Sequence, residues 1–369
     1  MVLRLSGNRH RLRHRFFTLG AKPLPNKMYS VTRGQKTPSD QIIEVQSLTK
    51  KYGQTTVVDA ITFGVGHGEI FSLLGPNGAG KTTTIKMLTT LALITSGKAT
   101  VAGFDVAENP AAVRGCIGLV PQELTADNEL NGMENLRLIA KIYHLPDDQA
   151  RARSQEMLSL VDLESSSDKK VGTYSGGMRR RLQLAMGLIH SPKILFLDEP
   201  TLGLDIQTRS KLHEYIQRLN REQGLTIFMT THYLEEAETL SDKIIIIDEG
   251  KVKETGSPSE LKERRGSQIL TLEVSDGSRD LTGFLQGVQD IAGVTTTVPG
   301  TYKMRVSKVE NAIPLIVDEV TKRGLKIVDL SLTKPSLDQV FLEITGHSLR
   351  DSEGSTSQQR PQMPPESKK

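Results

Sequence analysis

Nine residues, Gly75–Thr83, read GPNGAGKTT and satisfy the spacing G-x-x-x-x-G-K-[S/T]. The chemistry such a run can do is anion binding. Gly75, Gly78 and Gly80, with Pro76, Asn77 and Ala79 between them, let backbone N–H groups converge on phosphate oxygens. An apolar strand pattern, IFSLL, precedes the run and a helical pattern, TTTIKMLTTL, follows it. The helix start then adds its dipole to the same site. Lys81 supplies a charge to the β- and γ-phosphates, Thr82 offers a hydroxyl to Mg²⁺, and Thr83 ends the run.

Two further stretches carry chemistry. ILFLDEP (Ile194–Pro200) is an apolar strand ending in two acids. Beside a phosphate loop, Asp198 suits the Mg²⁺ shell, and Glu199 suits a general base that polarises the attacking water. TYSGGMRRRLQLA (Thr173–Ala185) sets three arginines at a helix start, where the dipole is positive and cations are misplaced. These arginines read as a solvated or salt-bridged face, with a nearby anion as a secondary benefit.

Elements must hold these residues in place. From Ile42, IIEVQSLTKKY and VVDAITFGV show the patterning of antiparallel strands. Residues 133–163 read as mostly helical, with Leu136, Ile139, Ala140 and Tyr143 at helical spacing. After Ser175 come a helix, the strand ILFLDEP, a helix around Leu212–Leu219 and the strand TIFMTTH. KIIIIDEGKVKETG reads as a hairpin turning at Glu249-Gly250. Beyond KERRGS, the order strand, helix, strand, strand, helix, strand, helix describes a small α+β module. The chain divides into a basic arm (1–40), a nucleotide-binding domain (41–265), the small α+β domain (266–348) and a polar, proline-containing tail (349–369).

At 369 residues the chain fits two domains with tails. Its net charge of +4 is unevenly placed, since nine Lys and Arg and no acid precede Asp40. That arm reads either as a disordered basic extension or as an organelle transit peptide. No segment approaches the roughly 20 apolar residues of a membrane span. The single cysteine, Cys116, excludes internal disulfides and cysteine-cluster metal sites, and reads as a small buried residue.

The order of phosphate loop, YSGGM, LFLDEP, GLD and TTH over roughly residues 42–260 resembles the ATP-binding cassette (ABC) ATPases. The resemblance implies an α/β phosphate-loop NTPase fold, with a mixed RecA-like core, an antiparallel β subdomain and a helical subdomain. It implies ATP and Mg²⁺ as cofactors. By matching position it also assigns roles. Ser175, Gly176 and Gly177 would bind the γ-phosphate of ATP held by a second subunit, in a head-to-tail dimer that the full motif set allows to be a homodimer. Tyr52 in KKYG resembles the aromatic that stacks on adenine. Gln122 in LVPQE resembles the glutamine that reaches Mg²⁺ and water and senses the membrane partner. Asp205 in LGLD resembles the residue communicating across the dimer, and His232 the histidine contacting γ-phosphate. Tyr174 and Met178 depart from the commoner Leu and Gln.

Within the family, YSGGMRRRL, LFLDEPTLGLD and PSLDQVFLEITG resemble ATPase subunits of drug and polyketide-antibiotic exporters. These work peripherally at the cytoplasmic face of a membrane with a separate permease, so an ATPase driving export of a drug-like or hydrophobic compound is expected. A transit peptide would direct the chain to an organelle membrane instead. The different-class alternative is a soluble cassette ATPase acting on ribosomes or nucleic acid. One cassette rather than two, and no room for a long coiled coil between Lys81 and Ser175, make nucleic acid an unlikely partner. An importer subunit would carry a longer C-terminal regulatory domain.

Overall fold

The computed structural model describes residues 41–265, 268–333 and 336–346. The basic arm and the polar tail expected from the sequence lie outside the described residues. Two long strands open the chain, β1 (Gln41–Tyr52) and β2 (Thr55–Gly66), followed by β3 (Ile70–Leu74), the glycine loop and helix α1 (Lys81–Leu88). Then come β4 (Ser96–Val101), β5 (Phe104–Asp105), α2 (Pro110–Cys116) and β6 (Ile117–Val120). Helices α3 (Gly132–Ile142), α4 (Asp147–Leu160) and α5 (Gly176–Leu188) form a helical layer. The strand-rich core resumes with β7 (Ile194–Asp198), α6 (Ile206–Gln223), β8 (Thr226–Thr231), α7 (Leu234–Leu240), β9 (Lys243–Asp248), β10 (Lys251–Gly256) and α8 (Pro258–Arg265).

The central sheet has the order β10-β9-β3-β8-β7-β6, with β9, β3, β8, β7 and β6 parallel and β10 antiparallel at the edge. Every residue of β3, β7 and β8 is buried, which is why apolar residues follow one another in them, as in Leu73-Leu74, Ile194–Leu197 and Ile227–Met229, rather than alternating. A second, antiparallel sheet has the order β2-β1-β4-β5. Phe63 of β2 stacks on Phe71 of β3 at 5.4 Å, and Phe71 stacks on Phe228 of β8 at 5.3 Å, so one aromatic column joins the two sheets. Each such pair adds about 0.5–1.5 kcal/mol beyond the area it buries.

The expected hairpin is present. Glu249 and Gly250 both have positive φ, 49° and 75°, the combination a two-residue turn between twisted strands requires. The turn reaches back to β2. Asp59 N–H donates to Gly250 O at 2.9 Å, and a Cβ built on Gly250 would stand 2.6 Å from Val57 O. A Cβ on Gly80, at φ 99°, would stand 2.7 Å from that same carbonyl.

The helical stretch expected over 133–163 breaks into α3 and α4 at Tyr143–Pro146, where proline disfavours helix at the residue before it. Helix α3 starts in a reciprocal cap: Glu134 N–H donates to Asn131 Oδ1, and Asn131 N–H to Glu134 Oε2, both at 2.8 Å. Cys116 ends α2 and is partly exposed rather than buried.

The C-terminal module comprises β11 (Gln268–Val274), α9 (Thr282–Gly287), β12 (Ile291–Val298), β13 (Thr301–Val306), α10 (Val309–Lys322) and β14 (Ile327–Thr333). Its antiparallel sheet has the order β12-β13-β11-β14, the split β-α-β arrangement. The last helix, α11 (Leu337–Thr345), packs elsewhere. Leu337, Val340 and Phe341 join Leu261 of α8, Leu234 and Ala237 of α7, Leu74 of β3 and Ile244 and Ile246 of β9 in one buried cluster. Helix α11 is thus packed onto the nucleotide-binding core. Among the described residues no helix is long and apolar enough to cross a membrane.

Candidate nucleotide site

The carboxyl ends of parallel strands are where open α/β sheets bind ligands, and four of them converge here. β3 delivers the loop Gly75–Gly80, β6 delivers Pro121 and Gln122, β7 delivers Asp198 and Glu199, and β8 delivers Thr230, Thr231 and then His232. A cavity of about 250 Å³ lies between them, lined by Val57, Asn77, Gly78, Gly80, Lys81, Thr82, Thr83, Gln122 and Glu199. Helix α1 begins at Gly80 with no side-chain cap, so its first N–H groups remain free for an anion.

Lys81 is 5% exposed. Its Nζ donates to Gly75 O at 2.8 Å and Pro76 O at 3.1 Å and pairs with Glu199 Oε1 at 3.1 Å. Burial pulls its pKa below the usual 10.5, with Glu199 opposing the fall. Glu199 is 7% exposed, and its second oxygen lies 3.3 Å from His232 Nδ1. Burial alone would raise its pKa; the His232 hydrogen bond and the Lys81 charge outweigh it and hold the carboxyl below its usual 4.5. Glu199 also has φ 46°, a conformation that persists in a non-glycine residue only where neighbours over-determine it. Its N–H is held by Thr230 O at 3.2 Å and Thr230 Oγ1 at 3.0 Å.

Asp198 Oδ1 accepts from Thr82 Oγ1 at 3.2 Å and from Thr230 Oγ1 at 2.6 Å. The loop hydroxyl and the strand-end carboxylate are therefore neighbours, two hard oxygen donors side by side. Among the described residues no group of three or more His, Cys, Asp and Glu could hold a metal by itself.

Three sequence candidates stand apart from this cavity. Ser175 caps α5, its Oγ accepting from Met178 N–H at 3.2 Å, and Ser175 and Gly176 are exposed. Ser175, Gly176 and Gly177 do not line the cavity around Lys81. Asp205 caps α6 through Thr208 N–H at 3.0 Å and Thr208 Oγ1 at 2.7 Å, bonds that hold its carboxyl below the usual range. Tyr52 is 50% exposed at the end of β1 with the Lys50 ammonium 4.8 Å from its ring centre, and it too is absent from the cavity wall.

The three arginines correct the sequence expectation of a solvated or salt-bridged face. Arg179 Nε donates to Tyr174 O at 3.1 Å and Arg181 Nη1 to Val161 O at 2.8 Å; both are half-buried. Arg180 is fully buried among backbone carbonyls. The positive dipole end is tolerated because backbone carbonyl oxygens accept from all three side chains, most of all from the buried Arg180. Sequence reasoning also missed Thr230 and Val57. Thr230 had a signal: it is a hydroxyl that directly follows the apolar run Ile227–Met229 in a buried strand, where a polar group needs a partner.

A glycine loop at the head of a parallel strand, a neighbouring carboxylate pair and an adjacent histidine together define a phosphate-loop nucleotide triphosphatase. The comparisons agree. The ABC transporter family model matches residues 58–202, and that of the C-terminal domain of DrrA1-3-like ATP-binding proteins matches residues 256–345. A daunorubicin resistance ATP-binding protein of Streptomyces coeruleorubidus is 38% identical over 317 residues, 84% of this chain and 97% of that protein. A linearmycin resistance ATP-binding protein of Bacillus subtilis is 35% identical over 314 residues, 84% of this chain and 100% of its own length. Among solved structures, an ATP-binding cassette captured as a dimer with ADP and Pi is 26% identical, with a TM-score of 0.54 over 58% of this chain and 98% of that one. The chain belongs to the ABC transporter family, as an ATP-binding, ATP-hydrolysing subunit.

Proposed function

We propose that the chain is one half of a head-to-tail pair of identical subunits that powers a separate membrane permease and exports a drug-like or hydrophobic compound. The observation that carries the pairing is the separation of two anion sites. The exposed start of α5 at Ser175–Gly177 is no part of the wall around Lys81, so it is available to a phosphate presented by a second copy. The names of the resistance relatives support export, and the peripheral position at the cytoplasmic membrane face follows from the permease partnership.

In this reading the loop amides from Gly75 to Thr83 and the Lys81 ammonium hold the β- and γ-phosphates of ATP. Thr82, Asp198 and Gln122 hold Mg²⁺. Their donor set fits a small hard cation that takes one or two protein carboxylates and completes its shell from phosphate and water. Bound there, Mg²⁺ supplies charge neutralisation at the phosphates. Glu199, ionised at neutral pH, accepts a hydrogen bond from water and orients it in line with the γ-phosphate. His232 steadies that carboxylate and reaches the γ-phosphate. Tyr52 stacks on adenine, and Asp205 speaks for this site to the other.

Glu199→Gln tests the chemistry. Turnover should fall by about 10²–10⁴-fold while an ATP-bound dimer accumulates, and retained turnover refutes the assignment. Purification of the tagged chain in mild detergent tests the partnership. A stoichiometric multi-span membrane protein supports it; ribosomes or DNA without one overturn it in favour of a soluble cassette.

A further inference from the structure

Arg180 is 5% exposed, and arginine is rarely buried unless its five N–H donors are all engaged. Here they are. Nε donates to Pro200 O at 2.6 Å. Nη1 donates to Pro121 O at 2.7 Å, to Gln183 Oε1 at 2.9 Å and, more loosely, to Gln122 O at 3.4 Å. Nη2 donates to Glu199 O at 2.9 Å and Asp198 O at 3.2 Å. Apart from Gln183, every acceptor is a backbone carbonyl of one of two turns, the one carrying Gln122 and the one carrying Glu199. Gln183, three residues along the same helix face, extends the hold: its Nε2 donates to Glu123 O at 2.6 Å.

Helix α5 therefore has a contact at each end of its first turn. Ser175–Gly177 opens to the outside, and Arg180, one turn on, grips the two turns that carry water-handling groups. Glu199 is pinned from opposite sides, its N–H by Thr230 and its carbonyl by Arg180. Backbone in the left-handed region depends on such pinning, so a shift of Arg180 moves the carboxylate.

We propose that Arg180 is a positioning residue through which one ATP site answers to the other. A γ-phosphate on Ser175–Gly177 seats α5, and α5, through the Arg180 fork, seats Glu199 and Gln122 against the nucleotide in the chain's own loop. The proposal rests on the head-to-tail pairing above, in which the phosphate on Ser175–Gly177 belongs to the partner's ATP.

The test uses the full-length chain. Arg180→Lys keeps the charge but replaces a planar five-donor fork with a point charge. ATP turnover is measured against ATP concentration for wild type and variant, with ATP affinity by calorimetry. ATP-driven dimerisation is followed by light scattering in the Glu199→Gln background. In Arg180→Lys, kcat should fall about tenfold to a hundredfold, the loss an ångström-scale misplacement brings. KM and ATP affinity should stay within about threefold, since ground-state binding is untouched. The Hill coefficient should fall from about two to about one, while the dimer still forms. Activity lost only in proportion to unfolded protein, with cooperativity intact, marks a structural role and overturns the proposal. So does a variant with wild-type kcat and Hill coefficient. If Arg180→Lys does not fold, Gln183→Ala loosens the same grip; it should lower the Hill coefficient, and unchanged cooperativity there also overturns the proposal. A wild type without cooperativity or ATP-driven dimer overturns the pairing itself, and the proposal with it, which distinguishes the two failures.

Discussion

Replacing Phe341 by alanine probes the seam where α11 meets the nucleotide-binding core. Phe341 is 1% exposed and belongs to the cluster that includes Leu74, which leads into the phosphate loop, and Leu234 and Ala237, which follow His232. Phe→Ala in a closed core costs about 3–5 kcal/mol, the spread reflecting how far the surroundings collapse into the cavity. The seam is a single helix laid on β3, β9, α7 and α8, and the loss expected is about 3 kcal/mol or more. The neighbouring Leu342 supplies the control. It is 47% exposed, and Leu342→Ala should stay within about 0.5 kcal/mol. Urea titrations at constant slope read both values. Hydrogen exchange should show residues 337–345 opening first in Phe341→Ala, because a docked terminal helix undocks before the parallel sheet yields. A Phe341→Ala cost below about 1 kcal/mol, or one no larger than that of Leu342→Ala, refutes the seam as a stabilising contact.

Two other outcomes follow from the site. Because the folded Glu199 carboxyl lies below its usual 4.5, its stabilising contribution is present above that value and is lost as pH falls through the lower folded pKa. The unfolding midpoint of wild type should therefore drop in acid more than that of Glu199→Gln, and parallel curves contradict the Lys81–Glu199 ion pair. Gly80→Ala places a methyl 2.7 Å from Val57 O at φ 99°, so ATP affinity by calorimetry should fall about tenfold or more. Gly283→Ala, in α9 with open space around it and no positive φ, should leave affinity within about twofold.

Local pattern carried most of the architecture. The phosphate loop sits between a strand and a helix because IFSLL is apolar but for Ser72 and TTTIKMLTTL is mixed. The Glu249-Gly250 turn and the order of elements from β11 to β14 were readable for the same reason: period and turn chemistry are local. Long-range placement was not. Leu337, Val340 and Phe341 announce an apolar helix face but not that α7 and α8, rather than the adjacent sheet, will cover it. An arginine likewise advertises water, and only the fold supplies the carbonyls of residues 121, 198, 199 and 200 that replace water around Arg180. Its signal was positional. Arg180 precedes Leu184 by one turn in a helix whose later residues are buried all round, so its face was committed before its chemistry was considered.

A Cβ on Gly80 and one on Gly250 would each crowd the carbonyl of Val57, so the phosphate loop and the turn between β9 and β10 both close on the same point of β2. A side chain added at either glycine must displace that carbonyl or move its own backbone away from it. Three separate parts of the fold thus share one contact, and an engineer altering the phosphate loop, β2 or the β9–β10 turn should keep Gly80 and Gly250 as glycine.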